Sequence, residues 1–323
     1  MTNLTVCVCA YNAERYIRET LESLYNQTFR DFDFLLIDDA STDNTVAIAQ
    51  EFIDSHQWAN TRIERLNKNV GLAHGRHYAE QIVRTKYIGF FDADDLALPT
   101  YVEKLLARIQ SDEKCMAVGC YCEYIDEHST RVGGGIYVGC KSKKEYLERA
   151  AKEKLMFMSA SSIIRVVDMK RAGGRSIDGF PSGKPRYQDM CEDLDLWTRM
   201  SDFYTEGKYM VVIPEVLFQY RKMPSSMSAN GKAMNMRMRH IKCNLKRRRR
   251  GLAELTFIDY LASLTRWQKI KYSYSDWSQG FYKQAGFHYL QKHYIRFFWN
   301  LGCAILFNPA YFLKKMRHNA LRL

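Results

Sequence analysis

The sequence predicts an α/β fold with a mixed, mostly parallel sheet that is flanked by helices. Two features of the sequence predict it. Over the first 120 residues, short apolar segments alternate with segments of helical periodicity, as expected for right-handed βαβ units. Polar clusters follow the short apolar segments, and open parallel sheets bind ligands at the carboxyl ends of their strands. We therefore expect several strand ends to contribute to one binding site.

The elements of this alternating half are predicted in order from their own patterns. Short β-branched and aromatic segments are predicted as buried strands. Helices are predicted where apolar residues recur three and four positions apart, as at Ile17, Leu21 and Leu24. The predicted order is strand Leu4–Cys9, helix Asn12–Gln27, strand Phe34–Ile37, helix Ser41–Phe52, strand Arg62–Leu66, helix Leu72–Arg84 and strand Tyr87–Phe91.

The next hundred residues alternate less clearly. A polar stretch of 17 residues at Gly173–Asp189 is long for a connection without secondary structure, which favours a lid or a binding loop. A helix is predicted to begin near Cys191, where acidic residues precede apolar ones. The remaining predicted strands are Met116–Asp126, Ser161–Val166, Tyr209–Ile213 and Val216–Tyr220.

The tetrapeptide Asp92-Ala93-Asp94-Asp95 directly follows the strand predicted at Tyr87–Phe91. Alternate residues of an extended chain point the same way, about 6–7 Å apart, so Asp92 and Asp94 can converge on one object. Carboxylates held together repel one another unless a cation lies between them, and a divalent cation with oxygen ligands is the usual solution. The alternative is an acidic turn that caps the next helix.

Five ordered sequence blocks resemble those of family 2 glycosyltransferases. The first two lie within residues 4–45, and the others are Asn69–Ala73 with the nearby Arg76, Phe91–Asp95, which resembles the family's DxD motif, and Glu192–Trp197, which resembles its ED-x-x-LW helix start. The resemblance covers about residues 4–222 and implies the GT-A fold, a nucleotide-diphospho-sugar transferase fold with an α/β sandwich around a mixed sheet.

The resemblance implies a site for the nucleotide of the donor. Ala10 and Tyr11 would hold a planar uracil at the end of the first strand, and Asp39 would accept a hydrogen bond from the pyrimidine ring N–H. Gly71 belongs to the next block, and Arg76 would steady the base or the diphosphate. The structural alternatives are helix capping for the Asp38-Asp39 pair and a solvated surface position for Arg76.

The resemblance also implies a cation site of Mn²⁺ or Mg²⁺ at the diphosphate. Asp94 is the preferred metal ligand, and Asp92 would meet the metal or the ribose. Arg221 is expected to contact the diphosphate, and the serines that follow it, Ser225, Ser226 and Ser228, to form a loop over the donor. In this family the Tyr-Arg pair is often followed by a histidine, which in some relatives joins the metal site, whereas Lys222 and Met223 follow here.

Asp193 is the candidate catalytic base. An inverting transfer needs one carboxylate that removes the proton of the acceptor hydroxyl while its oxygen attacks the anomeric carbon. A helix N-terminus stabilises an ionised carboxylate, which keeps Asp193 ready for that step. Glu192 would orient the acceptor or support the helix start. The alternative is a pair of acidic residues that only complement the helix dipole.

The net charge of +12 is concentrated at the C-terminus, because residues 237–323 hold 18 Lys/Arg and 3 Asp/Glu. We therefore predict a catalytic domain at 1–230 and a basic, aromatic helical extension at 231–323. The apolar stretch Ile295–Leu313 is interrupted by Arg296 and Pro309, so it is too short to span a bilayer but suits an anionic membrane surface. The alternatives are a solvated helical bundle and nucleic-acid binding, which no recognised motif supports.

Together these features predict an inverting, metal-dependent glycosyltransferase that uses a nucleotide-sugar donor, preferably a UDP-sugar. The expected acceptor is a glycan or a lipid-linked glycan of cell-surface polysaccharide synthesis. The N-terminus leads into a strand without a signal-peptide pattern, and we expect a cytoplasmic protein at the inner face of the membrane. Two rival hypotheses are a nucleotidyltransferase, which would need a glycine-rich phosphate loop after the first strand, and an inactive nucleotide-sugar-binding protein.

Overall fold

The computed structural model of the chain describes residues 2–158, 161–223, 230–290, 292–310 and 312–313. The predicted donor loop at Ser225, Ser226 and Ser228 lies outside the described residues. Within the described part, the strands are β1 Leu4–Ala10, β2 Asp33–Asp38, β3 Thr61–Arg65, β4 Tyr87–Asp92, β5 Leu96–Ala97, β6 Cys115–Ile125, β7 Arg131–Ile136, β8 Ser162–Arg165 and β9 Tyr209–Arg221.

The helices of the described residues lie on both sides of this sheet and continue beyond it. They are α1 Ile17–Tyr25, α2 Thr45–Ser55, α3 Leu72–Ile82, α4 Tyr101–Gln110, α5 Lys143–Ala151, α6 Val166–Arg171, α7 Glu192–Met200, α8 Gly231–Arg248, α9 Phe257–Ser263, α10 Arg266–Leu290 and α11 Tyr294–Phe307.

The strands form one mixed sheet in the order β3-β2-β1-β4-β8-β6-β9-β5, with β7 paired to β6. In the first half, β1 runs parallel to both of its neighbours, β2 and β4. Ala10 pairs with Asp38 and Cys9 pairs with Asp92, so the carboxyl ends of three strands meet at one point. This is the edge at which open α/β sheets bind ligands.

The second half of the sheet is less parallel than the sequence predicts. Strand β8 runs antiparallel to β4 on one side and to β6 on the other. The two strands predicted after residue 208 are one strand, β9, whose pairing with β6 shifts register where Pro214 interrupts it. The mixed sheet is therefore confirmed, with parallel pairing among β3, β2, β1 and β4 and between β6 and β9, and antiparallel pairing around β8.

The loops at the carboxyl end of the sheet hold one another. Helix α1 begins at Ile17 and not at Asn12, because Asn12 takes a left-handed backbone conformation with φ of 49°. The Asn12 side-chain oxygen instead accepts a hydrogen bond from the Thr42 N–H at 2.9 Å. Thr45 Oγ1 accepts from the Ala13 N–H at 2.7 Å. The loops after β1 and β2 are thereby fixed to each other beside the site.

Helix α8, which the sequence assigns to the C-terminal extension, packs directly on the catalytic half. Arg237 is buried, and its Nε donates to the Met190 carbonyl oxygen at 3.2 Å. Arg248 and Arg249 each donate through Nε to the Asp202 carboxylate, at 2.5 and 2.6 Å. These two arginines belong to the arginine run Lys246–Arg250, and they hold α8 against the end of α7.

Helices α10 and α11 form an antiparallel hairpin that carries aromatic residues on its outside. Ser278 Oγ donates to the Ala304 carbonyl oxygen at 2.7 Å, and the Phe281 and Phe307 rings stack with centroids 5.6 Å apart. The hairpin joins α8 through an ion pair of Arg239 with Asp276 at 2.5 Å. Among the described residues, no helix combines the length and apolar character that crossing a bilayer requires.

The contact of α8 with the catalytic half predicts that Asp202 stabilises the fold. Asp202→Ala leaves the guanidiniums of Arg248 and Arg249 without their shared acceptor, and we expect a loss of about 1–3 kcal/mol in the free energy of unfolding. Urea denaturation measures it. Asp54→Ala, which removes an exposed carboxylate of α2, is the matched control and should change stability by less than about 0.5 kcal/mol. Equal stabilities of the two variants would contradict the assignment.

Candidate active site

A cleft of about 430 Å³ opens where the ends of β1, β4 and β9 face the starts of α7 and α8. The catalytic and metal candidates Asp92, Asp94 and Asp193 all lie on its wall. Residues separated by a hundred positions in the sequence are thus brought to one space. The cleft is lined by Cys9, Tyr11, Asn12, Ala13, Tyr16, Leu72, Arg76, Asp92, Ala93, Asp94, Asp189, Met190, Cys191, Glu192, Asp193, Tyr220, Arg221, Met223 and Met234.

The aspartate loop (residues 92–95) is supported by Asp95, Thr20 and Arg221. Asp95 is buried and accepts a hydrogen bond from the Arg221 N–H at 2.8 Å. Thr20 Oγ1 donates to the carbonyl oxygens of Ala93 and Asp95, at 3.0 and 2.9 Å. Of the loop's carboxylates, Asp95 therefore serves the structure, while Asp92 and Asp94 remain partly exposed in the cleft.

Arg221 lies beneath this loop and not above it. Its Nε donates to the Asp94 carbonyl oxygen at 2.7 Å, and its two other nitrogens donate to the Asp126 carbonyl oxygen and to Glu19, at 2.9 and 3.0 Å. The guanidinium also lies over the Tyr16 ring, 4.3 Å from its centroid. All three nitrogens donate to protein groups, so Arg221 supports the aspartate loop, while its contact with a diphosphate stays a prediction.

The two carboxylates proposed as metal ligands are in different environments. Asp92 forms an ion pair with Arg76 through one oxygen. Burial and the neighbouring Asp92 raise the pKa of Asp94 to about 6. A carboxylate that is costly to ionise in this way is stabilised by a nearby cation. Mg²⁺ is commonly held by one or two protein carboxylates together with substrate phosphates, and this pair fits that arrangement. No group of three acidic, histidine or cysteine ligands occurs in the described part of the chain.

Arg76 lines the cleft with both sides of its guanidinium already paired, and its contact with the base or the diphosphate stays a prediction. It is buried on α3 and pairs with Asp92 on one side and with Glu192 on the other. Glu192 is also buried and receives a second arginine, Arg175, at its other oxygen. Burial alone would raise the pKa of Glu192, but the two guanidiniums hold this pKa below its ordinary value. Glu192 therefore remains ionised and cannot exchange protons near neutral pH.

Asp193 has the properties expected of a general base. It is the second residue of α7, and the helix begins directly after Cys191, which takes a left-handed conformation with φ of 55°. Its Oδ1 accepts a hydrogen bond from the Leu194 N–H at 2.7 Å. Burial, and then the neighbouring Glu192 carboxylate, raise the pKa of Asp193 to about 6. A carboxylate with such a pKa is ionised at neutral pH and is a stronger base than an ordinary aspartate.

The residues predicted to hold the base of the nucleotide lie at the β1 and β2 ends. Tyr11 is 50% exposed on the cleft wall, so its ring is available for stacking. Ala10 and Asp39 lie behind the wall, and the Ala10 carbonyl oxygen accepts from the Asp39 N–H at 2.8 Å. The Asp39 carboxylate accepts from the Val70 and Gly71 N–H groups at 2.7 and 2.8 Å. Asp39 thus orders the loop after β3.

Gly71 is required by its backbone conformation and by a neighbour that the sequence argument missed. Its φ is +98°, and a Cβ at this position would lie 2.5 Å from Asp189 Oδ2. Asp189 accepts a hydrogen bond from the Ala73 N–H at 2.8 Å and lines the cleft. The sequence placed Asp189 only at the end of the polar loop, four residues before Asp193. In the sequence, only this short distance from Asp193 indicated that Asp189 lies beside the cleft.

Comparisons with known proteins identify the family. The chain matches the family described as Glycosyl transferase family 2 over residues 5–170. An uncharacterized glycosyltransferase of Haemophilus influenzae is 32% identical over 227 residues, which is 68% of this chain and 65% of that relative. A teichoic acid poly(glycerol phosphate) polymerase of Staphylococcus epidermidis is 40% identical over 108 residues, which is 32% of this chain and 15% of the polymerase. The matches thus span less than two thirds of either relative.

Solved structures share the fold. TarS of S. aureus in complex with UDP-GlcNAc matches with a TM-score of 0.55 at 16% identity, over 87% of this chain and 81% of that chain. A mannosyltransferase, PcManGT of Pyrobaculum calidifontis, in complex with GDP-Man and Mn²⁺, matches with a TM-score of 0.53 at 16% identity, over 95% and 87%. The chain belongs to glycosyl transferase family 2 and is a glycosyltransferase of the GT-A fold.

The two raised carboxyl pKa values predict an acidic limit to activity. Burial and neighbouring carboxylates raise the pKa of Asp193 and of Asp94 to about 6, and the roles predicted for them, general base and metal ligand, both require the ionised carboxylate. At limiting Mn²⁺, lowering the pH below about 6 should therefore reduce turnover by about tenfold or more per pH unit, because Asp193 protonates and protons compete with the cation for Asp94. The measurement is the rate of donor hydrolysis between pH 4.5 and 8, with circular dichroism to confirm folding. A rate that stays constant down to pH 4.5 would contradict both assignments.

Proposed function

We propose that this glycosyltransferase is metal-dependent and inverting, and that it transfers a sugar from a nucleotide-diphosphate donor, preferably a UDP-sugar, to a hydroxyl group of a glycan or lipid-linked glycan. The observation that carries the proposal is the position of Asp193, with its raised pKa, in the same cleft as Asp92 and Asp94. One carboxylate for the acceptor proton and a carboxylate pair for the diphosphate end are the groups that such a transfer needs.

In the proposed reaction Asp193 accepts the proton of the acceptor hydroxyl. The acceptor oxygen attacks the anomeric carbon from the side opposite the diphosphate, and a new glycosidic bond forms as the bond to the diphosphate oxygen breaks. The electron pair of that bond leaves with the nucleoside diphosphate. Glu192 stays ionised and paired with Arg76, and it keeps the first turn of α7 in place. Its role is therefore to position Asp193 and not to transfer a proton.

A divalent cation fits the donor end of the cleft. Asp94, together with the Asp92 oxygen that does not face Arg76, would hold Mn²⁺ or Mg²⁺. When bound, the ion supplies charge neutralisation for the departing diphosphate. The complex of a mannosyltransferase of the same fold with Mn²⁺ supports this choice. A uracil would lie against Tyr11, and the UDP-GlcNAc complex of TarS supports a uridine nucleotide.

Cell-surface polysaccharide synthesis is the setting we propose. The partial match to a teichoic acid polymerase supports a polymeric acceptor. We further propose a cytoplasmic protein that associates peripherally with an anionic membrane, where lipid-linked acceptors are found. Residues 266–313 hold six Lys/Arg and one acidic residue, Asp276, which is already paired with Arg239. Positive charge beside exposed aromatic residues is typical of interfacial helices.

The membrane contact is assigned to the α10–α11 hairpin and not to the arginine run, because Arg248 and Arg249 pair with Asp202. Large apolar side chains on the hairpin are exposed, with Trp267 at 80% and Ile295 at 89%. Their spacing of three, four and seven places each set along one side of its helix. The exposed set on the two helices is Trp267, Ile270, Tyr274, Trp277, Tyr289, Tyr294, Ile295, Phe298, Trp299, Ile305 and Leu306.

Asp193→Asn should separate chemistry from binding. The amide keeps the size of the side chain but cannot accept the proton, so we expect turnover to fall by about a thousandfold while affinity for UDP stays within about twofold. Single-turnover kinetics and calorimetric UDP titration measure the two quantities. Loss of UDP affinity with unchanged turnover would instead make Asp193 a binding residue.

Asp94→Asn should weaken the metal-dependent part of nucleotide binding. In Mn²⁺ we expect the affinity for UDP to drop by about tenfold or more, whereas binding without metal stays unchanged. The rise in melting temperature that UDP and Mn²⁺ cause should shrink accordingly. Asp31→Asn, at an exposed position outside the cleft, is the matched control. A full melting shift in Asp94→Asn would remove Asp94 from the metal site.

The hairpin assignment predicts binding of the full-length protein to vesicles with anionic lipid and weaker binding to neutral vesicles. Trp299→Ser and Trp267→Ser should each weaken the affinity for anionic vesicles, measured by flotation, by about tenfold or more, because burial of a large aromatic side chain contributes about 1.5–3 kcal/mol. Tyr137→Ser, which changes an exposed aromatic residue of the catalytic half, is the control. Absence of vesicle binding by the wild-type protein would favour a helical bundle.

A further inference from the structure

Arg175 is a buried arginine outside the cleft wall that no sequence block singled out. It lies in the polar loop after α6, and its side chain is 1% exposed. Its Nε pairs with Glu192 and its Nη1 with Glu80. Its own N–H donates to the Glu80 carboxylate at 2.9 Å. The guanidinium lies over the Phe90 ring of β4, 4.0 Å from the centroid. The side chain is thus held by three groups, the Glu192 and Glu80 carboxylates and the Phe90 ring.

We propose that Arg175 is a positioning residue for the transfer reaction: it fixes the Glu192 carboxylate and, through it, the first turn of α7 that presents Asp193 to the cleft. The inference rests on the function proposed above, in which Asp193 accepts the proton. Arg175 itself does not line the cleft, so it acts through Glu192 and not on a substrate.

The pairing pattern explains why Arg76 alone cannot hold the Glu192 carboxylate in place. Arg76 divides its guanidinium between Glu192 and Asp92, which belong to the base side and the donor side of the cleft. Without Arg175, one arginine would have to neutralise both carboxylates, and one Glu192 oxygen would stay buried without a partner. A buried charge that has lost its partner is strongly destabilised. Glu192 would then move or take up a proton, and in either case the start of α7 would shift.

The loop is shaped to deliver Arg175 to this position. Gly174 has a φ of +63°, and a Cβ there would lie 2.6 Å from a Glu80 carboxylate oxygen. The chain therefore passes so close to Glu80 that only glycine fits, and the next residue enters between Glu80 and Glu192. Arg199 on α7 holds the same turn from the other side, since its Nη2 donates to the Gly174 carbonyl oxygen at 2.6 Å.

The test compares full-length Arg175→Gln and Arg175→Lys with Arg171→Gln. Arg171 lies four residues earlier, is exposed, and pairs with Glu206 on the surface at 2.5 Å, so its replacement changes the net charge equally.

Turnover is measured with the UDP-sugar that the wild type hydrolyses fastest, and binding with UDP and Mn²⁺. Because a misplaced catalytic group can cost about a hundredfold in rate, we expect kcat of Arg175→Gln to fall at least tenfold with UDP affinity within threefold. Arg175→Lys should recover part of kcat, and Arg171→Gln should match the wild type.

Different failures have different meanings. If the wild type turns over no nucleotide sugar, the proposed function fails. If the wild type is active and Arg175→Gln keeps its kcat, or loses kcat and UDP affinity together, only the positioning role is overturned. Should the single variants fail to fold, Glu80→Gln/Arg175→Gln removes both charges of one buried pair and still deprives Glu192 of its partner. A wild-type kcat in this folded double variant would also overturn the inference.

Discussion

A buried chain of ion pairs is the interaction on which the cleft depends. Glu80, Arg175, Glu192, Arg76 and Asp92 alternate in sign and link α3, the polar loop, α7 and the end of β4. Each charge has lost most of its hydration, so each tolerates burial only while its partner stays in place. The strand end that carries the donor-side carboxylates and the helix that carries the base therefore cannot move independently.

The same chain gives neighbouring carboxylates different tasks. Glu192 is surrounded by two guanidiniums and keeps its charge, whereas Asp193, one residue later, faces the cleft and feels the charge of Glu192. Environment, and not residue type, separates the permanently charged group from the one that can take a proton. Asp95 and Asp94 are divided in a similar way, since the first is buried against the Arg221 backbone and the second is left in the cleft.

The sequence predicted the first half of the sheet from local periodicity, Asp92 and Asp94 from their place at a strand end, and Asp193 from the resemblance of its block to the family's helix start. It could not predict Arg175 or Asp189, since their partners are far away in the sequence and spacing carries no record of such pairs. The two buried ion pairs of Arg76 could not be predicted for the same reason, and they exclude the solvated surface position that was the alternative for this residue. The basic extension was predicted as one membrane-binding region, whereas two of its arginines, Arg248 and Arg249, pair with Asp202 next to α7.

Helix α8 contributes Met234 to the cleft wall, and its Arg239 pairs with Asp276 of the hairpin. With 18 residues the helix is about 27 Å long, and it is held at its far end by Asp202. One helix, α8, thus carries both a part of the cleft wall and the contact with the aromatic hairpin. If the hairpin binds a flat surface, α8 therefore fixes the distance between the cleft and that surface. Only acceptors that project by a matching length would then reach Asp193, so the geometry would select acceptors by their reach as well as by their chemistry.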